Sequence, residues 1–360
     1  MAMPRHCILK WMIAVGASWL VLGTPGRCQA LAGDQQGKVV GLAFVGRMVA
    51  NLDQSVAFYQ AIGFSRDPAD STAWHKDKVL AQLYGVGGIE ARTARMFIVN
   101  DASGARFVVY LQELKGIKRR SLAGHSAWEP GATHFSLVVP DAQLLWSKLQ
   151  TQGMLRARSW GAQLIAPPGQ SKGTIAYLTD PDGLDIELLN QRPAAPQEAG
   201  RIENPDARPG VGHAGIVVLD SAKAKAFYGE LLGGHPQAAD APWLKGDFYD
   251  SVVGGHGNVM RVYDESFAEA AAPAFRLNFA LIEFQNRKKA VDSYNITDIG
   301  VGYVGFEVVG LEALLRRAKA AGARVLSATG IVTKGDGTRE AMLRDPDVGG
   351  FVELFEKPKK

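Results

Sequence analysis

The chain states one pattern twice, at a nearly constant spacing of 169 residues. Phe58-Tyr59 recurs as Phe227-Tyr228, Asn51 as Asp220, and the apolar run around Phe44 as the run around His213. His134 falls opposite Tyr303, and Asp180-Pro181-Asp182-Gly183 opposite Asp345-Pro346-Asp347, there at a spacing of 165. Two copies in register imply two homologous halves, so each polar residue can be weighed against its own twin. The length of 360 residues suits two domains of ~150 residues each.

The first residues are of another kind. Arg5 and Lys10 precede a short apolar run, Trp11 to Leu22, followed by Pro25, Gly26 and the small-residue sequence Ala30-Leu31-Ala32. That succession reads as a secretory signal over residues 1–32, cleaved after Ala32. The apolar run is short against the ~20 residues that a spanning helix needs, so a retained anchor is the weaker alternative. An exported, periplasmic or secreted protein is expected, with no membrane span in its mature form. Cys7 and Cys28, the two cysteines, both lie in the leader, so the mature chain has no disulfide and no thiolate. Losing Arg5, Lys10 and Arg27 also brings 40 basic residues down to 37 against 36 acidic ones. That balance, with no basic run interleaved with aromatics, argues against a nucleic-acid partner.

Each copy divides again. Strands are expected at Leu42–Val49, Thr133–Val139, His213–Leu219 and Tyr303–Val309, followed by helices at Asp53–Ile62, Ala142–Gln152, Ser221–Leu232 and Leu311–Ala321. In the last helix Leu311, Leu314, Leu315 and Ala318 recur at helical spacing before Gly322 stops it. Alternating runs follow at Arg106–Leu111, Thr174–Leu178, Asp185–Leu189, Phe275–Ile282 and Phe351–Phe355. The expected fold class is therefore α+β, four βαβββ units with mixed sheets curled around clefts. Pro193, Pro196, Pro205 and Pro209 mark residues 192–210 as a linker between domains at 38–191 and 211–357.

The run Asn51-Leu52-Asp53-Gln54-Ser55-Val56-Ala57-Phe58-Tyr59, leading to Ile62-Gly63-Phe64, resembles the opening of a vicinal oxygen chelate domain. That superfamily contains glyoxalase I, the extradiol dioxygenases and the bleomycin-resistance proteins. The second copy repeats the resemblance from Asp220 to Gly233. Both halves close on a similar turn and strand, ending in Ile186-Glu187-Leu188 and Val352-Glu353-Leu354. The resemblance implies tandem glyoxalase-like domains with metal ligands at two kinds of position. One is the start of each unit's first strand, here Phe44, His134, His213 and Tyr303. The other is each unit's last strand, here Tyr110, Glu187, Ala280 and Glu353.

Self-contained domains would offer His134 with Glu187, and His213 with Glu353 and Tyr303. Tandem members of the superfamily suggest another arrangement, in which units two and three share one cleft and units one and four the other. The first cleft then holds His134, Glu187 and His213, and the second, with Phe44, Tyr110, Tyr303 and Glu353, is no metal site. The expected metal set is His134, Glu187 and His213, suited to Fe(II), Mn(II) or Zn(II). Taken alone, a histidine at a strand start reads equally well as a hydrogen-bonded structural residue, and Glu187 as a solvated strand residue. The Phe-Tyr pairs read as core, and the Asp-Pro-Asp turns as turn chemistry.

Strand alternation places Arg276 and Asn278 on the face of Ala280, and Arg106 at the equivalent place in the first copy. A guanidinium there would grip a carboxylate in bidentate fashion, implying an anionic small-molecule ligand, and it reads equally well as a rim arginine paired with a neighbouring acid. The resemblance implies a metal-dependent lyase or isomerase, or a ring-cleaving dioxygenase, acting on a substrate with vicinal oxygens. For glyoxalase I activity the resemblance implies a four-ligand site, and it puts Ala280 at the place of the fourth ligand. Ring-cleaving dioxygenases draw three ligands from one domain, whereas Tyr303 stands where their second histidine would be. The rival expectation is a metal-free protein that sequesters a small molecule, as in the bleomycin-resistance branch.

Overall fold

The computed structural model describes residues 37–99, 106–122, 124–160, 165, 174–190, 209–233, 235–236, 240–266, 278–285 and 294–358. All of them belong to the same unit of the chain. The leader, nearly all of the linker and Arg276 lie outside the described residues.

Four units follow one another as expected. Unit one is β1 (Lys38–Val49), α1 (Leu52–Ala61), β2 (Ser65–Arg66), β3 (His75–Lys76), α2 (Lys78–Tyr84), β4 (Glu90–Val99) and β5 (Arg106–Lys115). Unit two is β6 (Thr133–Val139), α3 (Ala142–Thr151), β7 (Ile175–Thr179) and β8 (Asp185–Asn190). Unit three has β9 (Gly210–Val218), α4 (Ser221–Ala224, continued by a π-helical turn at Lys225–Leu231), β10 (His235–Pro236), β11 (Leu244–Lys245), α5 (Asp247–Val253), β12 (Val259–Ser266) and β13 (Asn278–Phe284). Unit four has β14 (Gly302–Val309), α6 (Leu311–Ala320), β15 (Arg324–Val325), β16 (Val332–Thr333), β17 (Arg339–Arg344) and β18 (Phe351–Glu356).

The residues after each first strand explain why a helix starts there. Asn51, Asp141 and Asp220 are extended N-caps whose side chains accept from the backbone N–H of Gln54, Leu144 and Lys223 respectively. A second acceptor comes from the end of the parallel neighbouring strand each time. Glu113 takes the N–H of Leu52, Asn190 that of Ala142, Glu283 that of Ser221 and Glu356 that of Gly310. Carboxylates suit this place because the helix N-terminus carries a partial positive charge. Unit four, whose cap position is Gly310 without a side chain, relies on Glu356 alone among these.

The repeated Phe-Tyr pairs are core, and their role is shared with the closing turns. Tyr59 donates its hydroxyl to Asp180 at 3.1 Å, and Ser55 and the Ala50 N–H bind Asp182. In the second half Tyr228 donates to Asp345 at 2.9 Å, and the Leu219 and Asp220 N–H groups bind Asp347. Rings complete each half's core: Tyr59, Phe64, Phe107 and Phe135 in the first, Tyr228, Phe279 and Phe306 in the second.

Strand pairing runs across the halves. A ten-stranded sheet orders as β15-β17-β18-β14-β1-β5-β4-β2, with β16 and β3 as side branches, so it joins unit four to unit one. An eight-stranded sheet orders as β10-β12-β13-β9-β6-β8-β7, with β11 beside β12, and joins unit three to unit two. Both seams are antiparallel, β1 on β14 and β6 on β9, and each is flanked by parallel pairs. Of the two arrangements the sequence left open, the clefts take the one shared between units of opposite halves.

Candidate metal centre

His134, Glu187 and His213 come from three adjacent strands of the eight-stranded sheet, β6, β8 and β9. His134 lies opposite Gly215 on β9, and Glu187 is in register with Ser136 on β6. One donor atom from each residue lies within 4.8 Å of the others. The two imidazole Nε2 atoms are 3.1 Å apart, and a Glu187 oxygen is 3.1 Å from His213 Nε2. Two donors each about 2.1 Å from one shared ion stand at about this spacing.

The chemistry of the set agrees with its geometry. Two imidazoles and a carboxylate are donors that first-row divalent ions accept. His134 is buried, and desolvation, with help from His213 and Arg47, holds its pKa well below the ordinary histidine value. The ring therefore stays neutral at physiological pH, the form that can ligate. His213 and Glu187 keep modest side-chain exposure, 16% and 12%.

A close approach makes room for the His134 ring. A Cβ placed on Gly215 would collide with His134 Cε1 and lie 2.7 Å from the Ala280 carbonyl oxygen. The twin, Gly46, faces Tyr303 in the same way, with a Cβ falling on the edge of the phenol ring. Ala280 is in register with Gly215 on the parallel neighbour β13 and is buried. The position expected for a fourth ligand thus carries a methyl group.

Apolar residues continue the wall. Ala127, Tyr177, Val217, Val252, Val253, Ala280, Ile282 and Phe284 cluster there, with Trp128, Phe248 and Met260 packed against them. Tyr177 was not singled out from the sequence, where an aromatic residue on an alternating strand reads as core. In the structure it pairs with Glu187 across β7 and β8 and lies 5.9 Å, ring to ring, from His134. Burial, with Glu187 and Asp185 nearby, raises its hydroxyl pKa well above 10, so the phenol keeps its proton.

The second cleft is built differently. Tyr303 is fully buried, accepts from Gln112 Nε2 at 2.8 Å and meets the Tyr84 hydroxyl at 3.2 Å. Tyr84 also donates to the Gln112 side-chain oxygen. Phe44 packs edge-on against Tyr110 and Tyr303 and stacks on Phe355. Glu353 is buried, and desolvation raises its pKa well above the carboxylate range, with nearby Glu340 adding to the rise. Lys334 pairs with Glu340. Among the described residues no metal-ligating cluster forms here, and this cleft holds a hydrogen-bonded aromatic core.

The expected ligand-binding arginine of the first copy lies in the other sheet. Arg106 is the first residue of β5, in the ten-stranded sheet, exposed and stacked 4.3 Å over the Phe97 ring. It does not join His134, Glu187 and His213. Asn278 lies on β13 in register with His213; Arg276 is outside the described residues. Glu307 pairs with Lys357 at 2.7 Å near the end of β14. No helix among the described residues is long and apolar enough to cross a membrane.

The model of the Glyoxalase/Bleomycin resistance protein/Dioxygenase superfamily matches residues 210–350. A search of curated proteins finds no significant match. Among solved structures, glyoxalase I from Zea mays is similar at 16% identity and a TM-score of 0.51, covering 89% of this chain and 92% of that one. A point mutant of the same maize enzyme is similar at 17% identity and a TM-score of 0.52, with the same coverage. At such identity these structures show a shared fold, and it extends over nearly nine-tenths of the chain. The second half of the chain thus matches the superfamily of glyoxalases, bleomycin-resistance proteins and dioxygenases, and the chain as a whole shares the fold of the maize glyoxalase I structures.

Proposed function

We propose that the cleft between units two and three is a divalent metal centre at which a small molecule with two neighbouring oxygens reacts. The observation that carries this reading is the convergence of His134, Glu187 and His213 from three strands and both halves of the chain. A bound ion would act as a Lewis acid toward the substrate oxygens and, as Fe(II), would also bring dioxygen chemistry. Three ligands with Ala280 at the fourth corner favour a ring-cleaving dioxygenase over an isomerase of the four-ligand glyoxalase kind.

The chain's own residues supply the surroundings. His134 is held neutral by burial, and Glu187 contributes the negative charge of the set. Tyr177, protonated and on the face of Glu187, is the hydroxyl donor beside the reacting oxygens. Val217, Ala280, Ile282 and Trp128 exclude water around them. We propose further that the protein is exported with residues 1–32 removed, which N-terminal sequencing of the periplasmic or secreted form would test.

The reaction-level test is spectroscopic. Protein stripped with a chelator and reloaded with Co(II) should show visible bands that shift when catechol is added and stay put with phenol. If neither compound moves the bands, the vicinal-oxygen reading fails. If catechol binds equally well to stripped protein, the metal-free sequestering function takes its place.

A further inference from the structure

Resting on that metal-centre reading, we propose that Ser136 is a positioning residue of the site, holding the His213 ring toward His134 and Glu187. Ser136 touches no substrate. Its place in the ladder gives it the role.

The seam between β6 and β9 is irregular. Phe135 pairs with Ala214 and Leu137 with Val211, so Ser136 stands opposite two residues, Gly212 and His213. Such a bulge interrupts the backbone ladder and re-aims side chains. The Ser136 hydroxyl fills the gap, accepting the His213 backbone N–H at 2.9 Å. Ser136 is fully buried and sits in register with Glu187 on its other side. One side chain therefore contacts the backbone of one ligand, lies beside the second in the ladder and is two residues from the third.

The twin cleft shows what happens without it. The seam between β1 and β14 carries the same irregularity, and there Phe44 pairs with Gly305, the counterpart of Ser136. The Phe44 ring lies down over that glycine: a Cβ on Gly305 would collide with Phe44 Cζ and both Cε atoms. Two positions thus change together between the clefts, histidine with serine and phenylalanine with glycine. A side chain at 136 occupies the space into which a ring at 213 would otherwise fold. Its hydroxyl also fixes the backbone from which that ring projects. His213 Nε2 is left 3.1 Å from both its partners in the cluster.

The test compares Ser136→Gly, which reproduces the twin cleft, and Ser136→Ala, which keeps the Cβ but loses the hydroxyl. Each chelator-stripped protein would be titrated with Co(II) against a chromophoric competitor. Its Co(II) spectrum and the unfolding midpoint of its metal-free form would be recorded in parallel. Partners that orient a ligand are typically worth about 10–100-fold in metal affinity. Ser136→Gly should lose about tenfold or more, with altered Co(II) bands, and Ser136→Ala several-fold. Either variant, if folded, decides the matter. Wild-type affinity and spectrum with only a lowered midpoint would leave Ser136 a structural residue and overturn the proposal. Failure of the wild-type protein itself to bind Co(II) would instead remove the metal-centre reading beneath it.

Discussion

Tyr303→Phe separates the two clefts by what it leaves untouched. The substitution deletes one buried oxygen and keeps the ring, so packing against Phe44 and Tyr84 survives. Gln112 Nε2 loses its acceptor at 2.8 Å. Tyr84 keeps the Gln112 oxygen. Each buried polar group left without a partner costs about 1–3 kcal/mol. The Gln112 amide gives an expected loss of about 1–3 kcal/mol. Urea unfolding should show a lower midpoint with an unchanged slope. Metal affinity should stay at the wild-type value, because Tyr303 lies in the other sheet. Since Gln112 and Tyr84 belong to unit one and Tyr303 to unit four, the loss also reports the pairing across halves. A loss under about 0.5 kcal/mol, typical of an ordinary surface change, would refute the hydrogen-bonded core. Lost metal binding would refute the assignment of the clefts.

Further expectations follow from the same geometry. Glu353 has a raised pKa in the folded protein, so its contribution to stability is present at low pH and is lost as pH rises from the ordinary glutamate value of 4.5 through the raised one. Glu353→Gln should therefore gain stability over wild type as pH rises through that window, and pH-dependent unfolding curves that stay parallel would contradict this. His134 has the opposite sign. Its pKa is depressed in the fold, so stability present above the ordinary histidine value of 6.5 is lost as pH falls toward the depressed value. Metal-free His134→Gln should lack that part of the acid loss, as unfolding midpoints between about pH 7 and pH 4 would show. Gly215→Ala forces a methyl group against the Ala280 carbonyl oxygen and the His134 ring. It should lower both stability and Co(II) affinity, whereas Gly257→Ala, with nothing within 4 Å of the added methyl, should leave affinity unchanged.

Much of the architecture was legible because it is local. Asn51, Asp141 and Asp220 announce helix starts, the Phe-Tyr pairs sit at one helical face, and the Asp-Pro-Asp turns recur in both halves. What stayed open was the partner of each unit's free strand edge. Period-two alternation states which face of β6 is buried but says nothing of whether β9 or β14 lies alongside it. The candidate ligands were readable through the twin comparison of His134 with Tyr303 and His213 with Phe44. Alternation names a face for Arg106 but carries no information on depth along a strand. Tyr177 and Gly215 gain meaning only from register, across from Glu187 and His134. Ser136 could have been found sooner, since its replacement by Gly305 in the other copy is visible at the 169-residue spacing.

The central claim is one divalent ion per chain, held by His134, Glu187 and His213. Its most direct test is metal stoichiometry after stripping, reloading with Fe(II), Mn(II) or Zn(II) and equilibrium dialysis, for the wild-type protein and for His213→Ala. The account predicts one equivalent in the wild type and none in His213→Ala, with folded circular dichroism retained by both. An ion kept by His213→Ala, or none bound by the wild type, would contradict it.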